Sequence, residues 1–253
     1  MKKYVVTASL LAGLSMVSGA AFAQTSGSVG ANFSKVDTDF GDLDSYGVDG
    51  EVVIPTGGAW STILEATFAD SDDTDSTIEG TAHFINNGAN NAWGGFVGLG
   101  NTDDSTTWVI GGEYAQFFDA STLAFNVTYG NNDDADVDGY GVNAAYRIFA
   151  SDNLRFDIGA GFALAESNGF DADVWTLGAG VEYRFAASPF SIGAGYTRAD
   201  SDIADAEDVG VSDVADADIF GITFRYNFGN ETLKQADRAG KTFTGLGTAA
   251  QGF

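Results

Sequence analysis

The feature that most limits what this chain can become is a period of two. From Ser26 to Phe228, segment after segment alternates apolar with small or polar residues, as a strand with two unlike faces requires. In Asp218–Phe228, Phe220, Ile222, Phe224, Tyr226 and Phe228 point one way, while Gly221, Thr223, Arg225 and Asn227 point the other. Val174–Phe185 and Leu154–Ala165 repeat the pattern. Such segments predict strands at 27–36, 45–54, 60–69, 76–85, 92–100, 106–117, 121–130, 138–149, 153–165, 173–185, 189–199 and 217–228. The fifth is the least decided, since Trp93, Phe96, Val97 and Leu99 do not single out one apolar face.

The links between these segments are sorted by charge. Links from an odd to an even strand are acidic, as in Asp37–Asp44, Asp70–Asp75, Asp103-Asp104, Asp133–Asp138, Glu166–Asp173 and Asp200–Asp218, and together hold 25 carboxylates. Links from an even to an odd strand are short and hold only Asp119 and Asp152. Pro55 and Pro189 fall in the short links, where a missing N–H costs no ladder bond. Alternate links of an up-and-down barrel lie on opposite rims, so the sorting predicts an all-β, closed antiparallel up-and-down barrel of about twelve strands. An even strand count puts both barrel ends on the tight-turn rim. A two-sheet sandwich shares the alternation but gives no reason to sort acids by strand parity.

The apolar face carries no charge in Tyr46, Val48, Val52, Leu64, Phe68, Ile78, Phe84, Leu123, Phe125, Val127, Tyr129, Tyr140, Val142 and Tyr146, and is read as the outside. Trp60, Trp108, Tyr129, Trp175 and Phe228 lie near strand ends, where interfacial girdles of a membrane barrel fall. No apolar run approaches the roughly 20 residues a membrane helix needs.

Residues 1–23 read as a secretory signal peptide: Lys2 and Lys3, an apolar stretch from Tyr4 to Val17, then Ala21-Phe22-Ala23 before Gln24. With no cysteine, the exported chain is stabilised by a core or a closed sheet and not by disulfides. A formal charge of −25 disfavours nucleic acid as a partner. The acidity does not imply disorder, because 13% aromatic residues supply surface to bury.

The last strand resembles the C-terminal assembly signal of bacterial outer-membrane barrels, a glycine followed by alternating aromatics: Gly221, then Phe224, Tyr226 and Phe228. With the signal peptide, the chain is similar to the small porin-like barrels of Gram-negative outer membranes. That resemblance implies a transmembrane barrel over 24–228, acidic loops on the extracellular side and both termini in the periplasm. It also implies contact with outer-membrane lipid and lipopolysaccharide, and a possible homo-oligomer. The chain departs from the pattern after Phe228, where 229–253 continue as a polar segment, read as a mobile periplasmic tail or, alternatively, a lumen plug.

The inward residues frame the function. Asp49, Glu51, Glu65, Glu79 and Glu113 fall on early strands, Arg147, Arg155, Arg184, Arg198 and Arg225 on late ones. On opposite walls of a closed barrel they would set a transverse field across the pore. Four of the arginines, Arg147, Arg155, Arg184 and Arg225, fall at one depth and need carboxylates between them; Asp157 and Glu182 are the local candidates. Gly159, Gly161, Gly178, Gly180, Gly193 and Gly195 point inward and leave space, or else serve sheet curvature. His83 is the only histidine, and no nucleophile constellation accompanies it, so no catalysis, cofactor or resident metal is expected. The acidic stretches Asp70–Asp75 and Asp133–Asp138 lack the spacing of a calcium loop. Two readings remain: a porin-like channel for passive diffusion of small hydrophilic solutes, or a non-conducting structural barrel displaying acidic loops.

Overall fold

The computed structural model describes residues 25–38, 41–71, 76–102, 105–132, 137–167, 170–203, 214–229, 232–241 and 243. Residues 1–23, read above as a signal peptide, and much of the acidic links, including 72–75, 133–136 and 204–213, lie outside the described residues. Twelve strands follow one another: β1 (Ser26–Thr38), β2 (Gly41–Gly57), β3 (Trp60–Ser71), β4 (Thr77–Asn87), β5 (Asn91–Thr102), β6 (Ser105–Phe117), β7 (Ser121–Asn132), β8 (Val137–Ser151), β9 (Leu154–Ser167), β10 (Phe170–Arg184), β11 (Phe190–Ile203) and β12 (Val214–Phe228). Each pairs antiparallel with its neighbours in sequence, and β12 pairs with β1, so the sheet closes into a barrel without an edge.

Most strands run past their expected ends on the loop rim. Asp42, Asp44, Asp70, Asp200, Asp202, Asp216 and Asp218 belong to ladders and not to loops. An antiparallel pair projecting beyond an apolar belt can keep its hydrogen bonds while its side chains meet water. No helix among the described residues is long and apolar enough to cross a membrane, a test that does not concern strands.

Register assigns the faces. Phe33, Tyr46, Phe84, Val127, Ile158, Leu177 and Phe224 are among the many large apolar side chains exposed on the outer surface. Aromatic contacts band both rims: Trp60 meets Trp93 edge-on at 5.5 Å near the turns, and Tyr129 meets Trp108 edge-on at 5.4 Å and Tyr140 at a tilt at 5.2 Å near the loops. On β5, Trp93, Val97 and Leu99 face outward and Phe96 inward, where it is 2% exposed. The ring lies over Gly111 of β6, where a Cβ would collide with it. That close packing resolves the face that the alternation left open.

The turn-side lumen holds an apolar cluster. Val53, Ile63, Ile85, Ala92, Ala115, Phe117 and Ala124 converge from β2 to β7 and enclose Phe243, which has no exposed surface. The inner wall at that depth is thus a small core and not a polar lining.

Candidate functional site in the barrel lumen

A cavity of about 290 Å³ occupies the lumen, lined by charged and polar side chains from both walls. Asp49, Glu51, Glu65 and Glu79 face it from β2, β3 and β4, and Arg147, Arg155, Glu182 and Arg225 from β8, β9, β10 and β12. Strand alternation puts these residues inside, and register sets who meets whom.

On the acidic wall, Glu51 accepts a hydrogen bond from Ser28 at 2.7 Å. Asp49 meets Arg225 at 3.1 Å, reaching across β1 directly rather than through water. Gly30 lies between them; its absent Cβ would sit 2.8 Å from Asp49 and 3.0 Å from Arg225. Glu113 is not on the cavity. It is buried with His83, whose Nδ1 lies 3.1 Å from it, while Nε2 lies 3.8 Å from Glu65. Glu79, which shares the face of His83, is therefore not its partner; carboxylates from β3 and β6 are.

On the basic wall, charges alternate. Arg155 bonds Asp157 at 3.0 Å and Glu182 at 3.1 Å, and Arg147 lies 3.6 Å from Asp157. The interleaved carboxylates offset the repulsion among guanidinium groups at one depth. Arg184 faces inward but is buried at the turn rim, its guanidinium directed at the carbonyls of Ser188 and Gly229.

Arg198 corrects an expectation. It pairs in register with outward-facing Leu177 and with Asp218, so it is on the outer surface at the loop rim, not in the lumen. There it binds Asp200 at 2.9 Å, Asp218 at 3.4 Å, and Asp216. Ile192, Ala194 and Tyr196 share its parity and face outward. The charge is tolerated because the three carboxylates surround it at the loop rim.

The segment after β12 corrects the mobile-tail reading in favour of its alternative, a lumen plug. Over residues 232–241 and 243 it is docked inside the turn-side lumen. A short helix, α1 (Leu233–Ala236), starts with a capping box in which Thr232 and Gln235 satisfy each other's backbone N–H. A wider turn, Asp237–Lys241, follows, with Gly240 at φ 127. A side chain at Gly240 would press on Ile63. Asp237, fully buried, accepts from Arg147 at 2.8 Å and from Thr122 at 2.6 Å. Lys241 reaches Glu51 at 2.5 Å. Arg238 donates to the carbonyls of Phe118 and Asp119. Leu233, Ala236, Asp237 and Lys241 thereby become the floor of the cavity.

Residues 9–228 match the outer membrane protein β-barrel domain family. The chain belongs to that family. It is an outer-membrane β-barrel, and the closed twelve-strand sheet with its exposed apolar belt is that architecture in physical terms. A search of curated proteins found no match. Among solved structures, the fold is similar to an outer membrane channel from Pseudomonas putida F1, with a TM-score of 0.57, 13% identity, and coverage of 81% of this chain and 95% of that one. It is similar to the CymD monoaromatic hydrocarbon channel at 0.55, with 7% identity, 81% of this chain and 89% of that one. The KdgM porin in complex with disordered oligogalacturonate gives 0.54, with 8% identity, 79% and 99%. At such identities the likeness concerns the fold. Among the described residues, no cluster of three His, Asp or Glu could hold a metal ion.

Proposed function

We propose that this barrel is a porin-like channel for the passive diffusion of small hydrophilic solutes across the outer membrane. The observation that carries the reading is the 290 Å³ lumen cavity with carboxylates on one wall and guanidinium groups on the other. A barrel that served only as a support would gain more from apolar side chains there, because each buried ion pair costs desolvation that its Coulomb gain barely offsets. Solved barrels of similar fold are described as a porin, an outer membrane channel and a monoaromatic hydrocarbon channel, which supports the channel part of the reading. The acidic loop rim faces the exterior and the tight turns face the periplasm, the usual disposition of such barrels. On the outer surface of the loop rim, Tyr129 donates to Asp138 at 2.6 Å and Tyr196 to Asp218 at 2.5 Å, a polar–aromatic band suited to the lipopolysaccharide headgroup level.

Planar-bilayer recording tests the proposal with two proteins, the full chain and a chain ending at Gly229. Discrete conductance steps from either support a channel; silence from both refutes it. The structural-barrel reading is favoured by one observation, the docked segment and Arg147–Asp237 pair that fill the turn-side lumen. It requires silence from both proteins.

A further inference from the structure

Residues 232–241 and 243 are held in the lumen by contacts that engage different parts of the wall. Asp237 goes to the basic wall, at Arg147 on β8 and Thr122 on β7. Lys241, four residues on, goes to the acidic wall at Glu51 on β2. Phe243 fills the apolar cluster of β2 to β7. The segment thus lays its own negative and positive groups along the transverse field, negative toward the arginines and positive toward the carboxylates. A docked orientation with the charges reversed would be repelled by both walls.

The wall is shaped for this occupant. Val53, Ile63, Ile85 and Phe117 face inward, where an aqueous lumen would otherwise wet four large apolar side chains. Gly240 approaches Ile63 closely enough that no side chain fits without displacement. Thr122, fully buried, has its hydroxyl spent on Asp237. These features are complementary to the docked segment, yet the segment is short, held by non-covalent contacts along its length, and leaves β12 through Gly229, at φ 92.

We propose that the docked segment, residues 232–241 with 243, is a gate: docked, it closes the turn-side mouth of the channel, and undocked, it leaves a continuous lumen. Undocking also takes Asp237 away from Arg147 and Lys241 away from Glu51, so both wall groups turn toward the open mouth. The inference rests on the channel reading, and its test separates the two.

The chain has no cysteine, so a pair introduced at Thr122→Cys and Asp237→Cys, residues in side-chain contact, gives a clean reversible lock. Planar-bilayer currents are recorded for the full chain, the chain ending at Gly229, and the double-cysteine protein oxidised and then reduced. The gate predicts a mean current per channel at least tenfold higher without the segment, silence in the oxidised lock, and recovery on reduction. Currents equal with and without the segment, or an oxidised lock that conducts like its reduced form, overturn the gate and leave the channel standing. Silence in every protein overturns both. Heat-modifiable gel mobility reports whether the truncated barrel is folded; should it not be, the full-length Asp237→Ala/Phe243→Ala protein carries the same comparison.

Discussion

Asp237→Ala is the sharpest perturbation of the lumen because it removes one carboxylate from a fully buried site. Arg147 loses its 2.8 Å partner and Thr122 its acceptor. Breaking a buried ion pair from one side costs about 3–5 kcal/mol. Arg147 keeps Asp157 at 3.6 Å, which places the loss near the lower end. About 3 kcal/mol, at roughly 1.4 kcal/mol per tenfold, shifts the docking equilibrium by about a hundredfold. Limited trypsin digestion reads that shift. Arg238 and Lys241 lie within the docked turn, and cleavage of a transiently opened segment tracks its open population. Rates are normalised to the same bonds in a peptide of residues 229–253, which removes any direct effect of residue 237 on the protease. The normalised rate in detergent-solubilised Asp237→Ala should rise about a hundredfold. A rate within twofold of the parent would show that the Asp237–Arg147 pair does not hold the segment, and the reasoning would fail.

Other consequences follow from the same geometry. Replacing Arg155 and Arg225 with Glu reverses the charge on the cavity's basic wall, and the reversal potential in a salt gradient should move toward the cation potential; an unchanged value would put the ion path elsewhere. Glu113→Ala strips the buried His83 of its 3.1 Å partner at a cost of about 3 kcal/mol, so the unfolding midpoint in heat-modifiable gel mobility should fall by several degrees, while Asp152→Ala at a turn leaves it in place. Phe243→Ala empties the apolar cluster and should loosen the docked segment by about 3 kcal/mol without altering barrel mobility on gels. Gly94→Ala drives a Cβ into the Phe84 carbonyl, so folded yield should drop, whereas Gly50→Ala, which meets only Ser28 at 3.9 Å, should be tolerated.

The barrel was legible because its period of two is written in long side chains: Phe220 to Phe228 on β12 or Trp175 to Tyr183 on β10 define a face whatever the register. Acids sorted by strand parity mark the two rims for the same reason, since loop charge needs no knowledge of packing. β5 was not legible, because Phe96 points inward and is accommodated only by Gly111 of the next strand. Arg198 is misplaced by its charge although its own parity with Tyr196 puts it outside; a charge on the outer face looks wrong until the carboxylates of Asp200, Asp216 and Asp218 are seen around it. The partners of His83 depend on how β3 to β6 are staggered, which one-dimensional spacing does not contain. The docked segment does leave a trace in the sequence. Val53, Ile63, Ile85 and Phe117 are apolar on the inward parity and all near the turns, so something apolar had to cover them. That something is Phe243, at the end of a stretch whose polar composition pointed to solvent.

The central claim, that the charged lumen is the path of solute, is tested most directly by cysteine accessibility during conduction. Thr67→Cys lies on the cavity wall, and Phe68→Cys, one residue on, lies on the outer face of β3. A negatively charged thiol reagent added to the aqueous phase should change the single-channel current of the conducting Thr67→Cys barrel stepwise and leave that of Phe68→Cys unaltered. Modification of the thiol introduced by Thr67→Cys, verified by mass, with no change in current would contradict the account.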